Sequence, residues 1–252
     1  MADGQAQSFY FFDFDDNVMY LDTPILIQNT MSGVIERVST GQYAQIASRL
    51  GVPGEWQDYA VFEGSYQHFR DIPDEQLESP DQQHFVADIR HVIETKRPDE
   101  WQAPSWEFFA HACAKGRPLS IITARGHHPN VIRAGIRVLK EAGFITAEPN
   151  YLTIYPVSHI PARLELGDEN LHYTVPALKK LAIIRSVEVG LGTHGPSLPH
   201  QFGMSDDDPK NLQLIIEAMN ECKRLHPDKR FFVFHMFADK SVKLEVLPLD
   251  PP

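Results

Sequence analysis

Within the run Phe9-Tyr10-Phe11-Phe12-Asp13-Phe14-Asp15-Asp16-Asn17-Val18, large apolar side chains give way to two carboxylates spaced i and i+2. A short apolar run with such a stop predicts a buried strand over 8–12. Asp13 and Asp15 then stand where the chain leaves the core, at the carboxyl end where open α/β sheets place ligands. Acids this close repel one another unless a cation or a shared proton lies between them. The arrangement costs stability, so it predicts chemistry rather than scaffolding. A second run of acids, Asp206-Asp207-Asp208, lies far along the chain after another apolar stretch.

The elements that must position these residues follow from period and punctuation. Strands are predicted over 118–122, 151–157 and 198–204, and helices over 129–141 and 175–187. A further helix opens at Asp208-Pro209 and runs to 224, with Asp208 as its cap and Pro209 at its first position. A terminal hairpin pairs 231–237 with 241–247 around Ala238-Asp239-Lys240. From residue 117 onward strand and helix alternate, the pattern of a parallel sheet with covering helices. Between the first and second core strands lies a stretch too long for a loop, residues 19–115, with helices predicted over 42–50, 83–94 and 104–114. It needs structure of its own and reads as an inserted, mainly helical cap or lid. Trp101, Trp106, Phe108 and Phe109 are expected to pack that insert against the core.

Other readings of the acid pair fail on their own requirements. A calcium loop needs Gly at its sixth position and Glu at its twelfth, where this chain has Val18 and Pro24. A glycosyltransferase DxD follows a nucleotide-binding half that twelve residues cannot hold. No HExxH and no paired cysteines support zinc. His127 and His128, a pair in a loop, are expected to face solvent.

Four segments in order do fit together: FFDFDDNV, LSIITARG with Thr123, ALKKLAII with Lys179 and Lys180, and QFGMSDDDPKN. They resemble the four motifs of the haloacid dehalogenase superfamily, over residues 8 to about 211 apart from the insert. The resemblance implies an α/β, Rossmannoid core of residues 1–18 and 116–252, with 19–115 as the cap. It also implies Mg²⁺-dependent phosphomonoester hydrolysis, with Asp13 as nucleophile forming an aspartyl-phosphate. Asp15 serves as acid and then base, Thr123 binds the phosphoryl oxygens, and Lys179 or Lys180 holds nucleophile and phosphate together. Lys179 fits the family spacing slightly better. Arg125 is implied to clamp the phosphate or the leaving group. Ligands for Mg²⁺ would be the Asp13 carboxylate, the Asp15 carbonyl and an acid of Asp206/Asp207. The fourth motif departs from the family pattern, having Gly203-Met204-Ser205 where many members have Gly-Asp-Ser. Which of Asp206, Asp207 and Asp208 meets the metal therefore stays open. A phosphoryl transferase using the same residues, or a phospholigand- or partner-binding protein that keeps the fold, are the alternatives.

Charge bounds the partners. The formal net charge of -11 argues against nucleic acid and anionic membranes, which need a basic face. A phosphorylated small molecule is the expected partner, with a phosphoprotein as a second possibility. Cys113 and Cys222 form no CxxC pair, as in a reduced cytoplasmic protein. No apolar stretch approaches the ~20 residues that cross a bilayer.

Overall fold

The computed structural model describes residues 5–207, 209–236 and 241–247. In chain order its elements are β1 (Ser8–Phe12), β2 (Ile25–Asn29), β3 (Ile35–Val38), α1 (Thr40–Ile46), β4 (Tyr59–Ala60), α2 (His84–Thr95), α3 (Pro98–Trp101), α4 (Trp106–Ala114) and β5 (Pro118–Thr123). There follow α5 (Pro129–Glu141), β6 (Asn150–Pro156), α6 (Ile160–Glu165), α7 (Val175–His194), β7 (Gln201–Asp206), α8 (Pro209–Leu225), β8 (Arg230–Met236) and β9 (Ser241–Val246). Six strands form a central sheet in the order β6-β5-β1-β7-β8-β9, parallel except for the antiparallel edge strand β9.

The alternation of β1 shows why the sheet is covered on both sides. Phe9 and Phe11 enter a cluster with Leu178, Ile183 and Val187 of α7 and with Ile215 and Met219 of α8. Phe12, with Tyr10 packed against the same cluster, faces the opposite layer, made by α2, α4 and α5. Apolar residues on both faces are what a central parallel strand requires. On α5, Ile132, Ile136 and Leu139 share the buried face, His128 caps the Asn130 amide, and Gly143 follows the helix at φ +80°. Gly135 lets α5 and α2 approach, because a Cβ there would lie 2.5 Å from the Phe85 ring. Thr174 caps α7 by accepting from the Ala177 amide.

The segment 19–115 differs from expectation. Its first half is a three-stranded sheet in the order β3-β2-β4, with α1 packed beside it around Ile25, Ile27, Val38 and Ile46. Strand character was not apparent there, since these strands are short and only weakly alternating. Its second half is helical. Phe85, Ile89, Trp101, Trp106 and Phe109 are buried in the same cluster as Phe12, Leu119 and Ile121. Helices α2 and α4 are thus a covering layer of the central sheet. The helix predicted over 42–50 begins earlier and ends in a 3-10 turn at Ala47–Arg49. The terminal hairpin is present, while its turn and Asp208 lie outside the described residues. Both cysteines are buried and unpaired in disulfides, and burial pushes each thiol up to about 12. Among the described residues no helix is long and apolar enough to cross a membrane.

Candidate functional site

The strand order decides which residues meet. β1 lies between β5 and β7, so the ends of three parallel strands deliver Asp13, Thr123 and Asp206 to one edge of the sheet. The Asp13 amide still donates to the Ser205 carbonyl at 3.3 Å. The chain then turns sharply, with the Phe14 carbonyl accepting from the Val18 and Met19 amides and Asp16 at φ +59°. Asn17 fastens this turn. Its Nδ2 lies 3.1 Å from the Asp13 carbonyl, the Ser205 carbonyl and Ser205 Oγ, and its Oδ1 accepts from Ser105 Oγ at 2.7 Å. Asn17 follows the acids directly, but nothing in its spacing revealed that it would tie β1, β7 and α4 together.

The first constellation surrounds Asp13. Lys179 Nζ sits 3.0 Å from Asp13 Oδ2 and 3.3 Å from Asp206 Oδ2, and all three side chains are buried. Asn211 Nδ2 donates to both Asp206 oxygens at 3.0 Å. Lys180 points elsewhere and pairs with Glu221 at 3.4 Å on the partly exposed side of α7. Burial raises the Asp13 pKa well above the carboxylate range. Lys179 opposes this, while Asp206, Asp15 and Asp207 add to it. Burial, then Asp206 and Asp16, push Asp207 up to about 7. Burial disfavours the Lys179 ammonium, but Asp13 and Asp206 outweigh it and hold its pKa above the ordinary value.

This group has the composition of a cation site. Asp13, Asp206 and Asp207 each offer a carboxylate oxygen, all within 4.8 Å of one another. Asp13 Oδ1 is buried and has no hydrogen-bond partner. An unpaired buried carboxylate oxygen beside two further acids is what a hard divalent ion satisfies, and oxygen donors suit Mg²⁺ or Ca²⁺ over softer metals. It is the one such group among the described residues.

The second constellation surrounds Asp15 and joins it to Arg125. The guanidinium lines the cavity and its buried Nη1 has no hydrogen-bond partner among the described residues. It is fully buried and grips Asp15 with Nε at 2.9 Å and Nη2 at 2.6 Å. Nη2 also donates to Thr23 Oγ1 at 2.7 Å, and Thr23 in turn donates to Asp88. The rings of Phe69 and Phe85 lie 4.8 and 4.7 Å from the guanidinium carbon. Thr123 Oγ1 donates to Asp15 Oδ2 at 3.3 Å. Neither Thr23 nor the two phenylalanines carried a sequence signal for this, because their shared partner Arg125 lies far along the chain from each. His127, expected in solvent with His128, is buried against Phe85. Burial, followed by Arg125 and His84, pushes it down to about 2. His128 alone is exposed.

Asp13 of the first constellation and Asp15, Thr123 and Arg125 of the second line one cavity of about 560 Å³, whose lining also includes Tyr43, Tyr66 and Phe69. Comparison with protein-family models, with curated proteins and with solved structures finds no match.

Proposed function

We propose that this chain is a Mg²⁺-dependent phosphomonoester hydrolase working through an aspartyl-phosphate on Asp13. The observation that carries the reading is the charge balance around that residue. Among the described residues the clustered carboxylates of Asp13, Asp206 and Asp207 have one ammonium beside them, Lys179, and Asp13 lines a cavity. A nucleophilic carboxylate approaches a phosphate dianion only where such repulsion is neutralised. Asp13, Asp206 and Asp207 are the residues that would hold the metal. Bound there, it supplies positive charge against the phosphoryl oxygens.

The chain's own residues then divide the work. Lys179 holds the Asp13 carboxylate and carries a second positive charge toward the phosphoryl group. Asp13 attacks phosphorus as the ester oxygen departs, and that oxygen takes a proton from Asp15. Water then attacks the aspartyl-phosphate, returns its proton to Asp15 and frees Asp13 and inorganic phosphate. Asn17 keeps the turn rigid, so both acids stay at fixed separation from Thr123. The small β2–β4 sheet serves as the lid, since Tyr43, Tyr66 and Phe69 reach the cavity from that region. The order of the site residues along the chain is that of the haloacid dehalogenase superfamily, which supports the same reading. The cavity's size suits a phosphorylated small molecule.

One observation favours a second reading. Arg125 and Thr123 engage both Asp15 oxygens, so proton delivery requires one contact to open. A phospholigand-binding protein without turnover has no need of that opening. The deciding measurement is p-nitrophenyl phosphate turnover after chelation and again with Mg²⁺ restored. Metal-dependent release of p-nitrophenolate is expected. No turnover with Mg²⁺ across aryl, sugar and nucleotide phosphates would leave only the binding reading.

A further inference from the structure

We infer that the substrate is a phosphomonoester bearing a planar aromatic ring, with the ring held by the wall of Tyr43, Tyr66 and Phe69. The inference rests on the hydrolase reading of Asp13 for its phosphoryl end and on separate residues for its ring end. A cavity of about 560 Å³ is far larger than a phosphoryl group and lies within the ~300–1,000 Å³ range of organic-ligand sites. Beyond the acids the lining carries three aromatic side chains, Tyr43, Tyr66 and Phe69, beside the aliphatic Ile25 and Val175. Tyr66 meets Tyr43 edge to face at 6.0 Å and Phe69 at 6.4 Å. The Tyr66 phenol donates to the Tyr43 phenol at 2.6 Å, which holds the two rings together. A flat ring stacks on these side chains, whereas a sugar alone would engage only the polar residues of the lining such as Thr40 and Ser158.

The wall is held in register with the phosphoryl end. The Gly126 amide donates to the Phe69 carbonyl at 2.8 Å, and Arg70 forms a backbone bridge with Gly126. Gly126 lies three residues beyond Thr123 in TARG, so one loop carries both ends of the cavity. Phe69 is further fixed by the Arg125 guanidinium. Arg70 completes the mouth. It lines the cavity, is exposed and has no carboxylate partner among the described residues. A flat guanidinium stacks on the face of an aromatic ring.

The test compares esters whose leaving groups are all primary alkoxides: adenosine 5′-monophosphate, ribose 5-phosphate and hexyl phosphate. The nucleotide is expected to have the highest kcat/KM, by roughly 5- to 100-fold over ribose 5-phosphate, the range that stacking one base gives. Tyr66→Ala should shrink that ratio and Tyr66→Phe should keep it. Calorimetry with adenosine, which has no phosphate to lose, reads the wall by itself. Equal kcat/KM for nucleotide and ribose 5-phosphate overturns the inference while leaving the hydrolase intact. Hexyl phosphate matching the nucleotide also overturns it, since the wall would then read apolar area alone. If no ester turns over yet adenosine binds and Tyr66→Ala weakens it, the hydrolase reading fails and the aromatic site stands.

Discussion

Asp13 and Asp15 are separated by one residue, yet the fold gives them opposite surroundings. Asp15 has a cation of its own: Arg125 meets both its oxygens, stacked between two rings and braced by Thr23. Asp13 shares one lysine with Asp206 and keeps one oxygen without a donor. The first arrangement pairs the acid with a cation of its own at the cavity wall, with Arg125 Nη1 left over. Among the described residues the second sets one ammonium against three clustered acids, in a buried place where such an imbalance is expensive. Proteins build ion pairs like that of Asp15 to hold a side chain in place. The contrast is the reason for proposing the metal and the nucleophile on the Asp13 side.

The largest expected effect is at the nucleophile. Asp13→Asn should abolish p-nitrophenyl phosphate turnover while the fold survives, because the amide is nearly isosteric. A residual rate above about a hundredth of wild type, a barrier change below roughly 2.7 kcal/mol, would remove Asp13 from that role. Asp15→Asn sharpens the other half of the contrast. If Asp15 is the acid, aspartyl-enzyme formation from an alkyl phosphate should slow by about 10²–10⁴, and far less from p-nitrophenyl phosphate. Rapid-quench measurement of the first half-reaction decides it. Equal slowing for both esters would mean that the Arg125–Asp15 pair only positions its neighbours.

The next effect is on stability. Lys179→Met strands two buried carboxylates and should cost about 3–5 kcal/mol in denaturant melts of the metal-free protein. Loss of less than about 1 kcal/mol would mean the acids do not depend on Lys179. Metal should act in the opposite direction. Mg²⁺ at a hundredfold excess over its Kd should add about 2.7 kcal/mol, roughly 2–4 °C in Tm per kcal/mol for a chain of this size.

The same cluster sets a pH dependence. Asp207 rises from an ordinary 3.8 to about 7 on folding, and Asp13 also rises. In this window the folded state binds more protons than the unfolded one, so their contribution to stability falls as pH climbs from about 4 to 7. The decline should weaken in Asp207→Asn and with Mg²⁺ present. An unchanged slope in thermal melts across that range, in both cases, would dismiss the cluster as the metal site. The smallest effect is the control on the same helix. Lys180→Ala removes a partly exposed pair with Glu221 and should cost no more than about 1 kcal/mol.

How much of this was legible beforehand depended on range. The strand over 8–12, its stop at Asp13, the face of α5 and the alternation from residue 117 are local patterns. They report which side of an element is apolar, which is a property of neighbouring residues in the chain. The strand reaching Asp206 could likewise be read from an apolar run that ends in acids. The adjacent Lys179 and Lys180 have the same local signature, and only the packing of α7 on the sheet turns one toward Asp13 and the other toward Glu221. That Arg125 meets Asp15 was decided by β1 settling beside β5. The same pairing of distant strands buried His127, gave Asn17 its contacts and made α2 and α4 a layer of the core. The chain's periodicity determined where its acids emerge. Which cation each acid received was decided by strand order, because a buried charge takes the partner that the neighbouring strands and helices bring within a few ångströms.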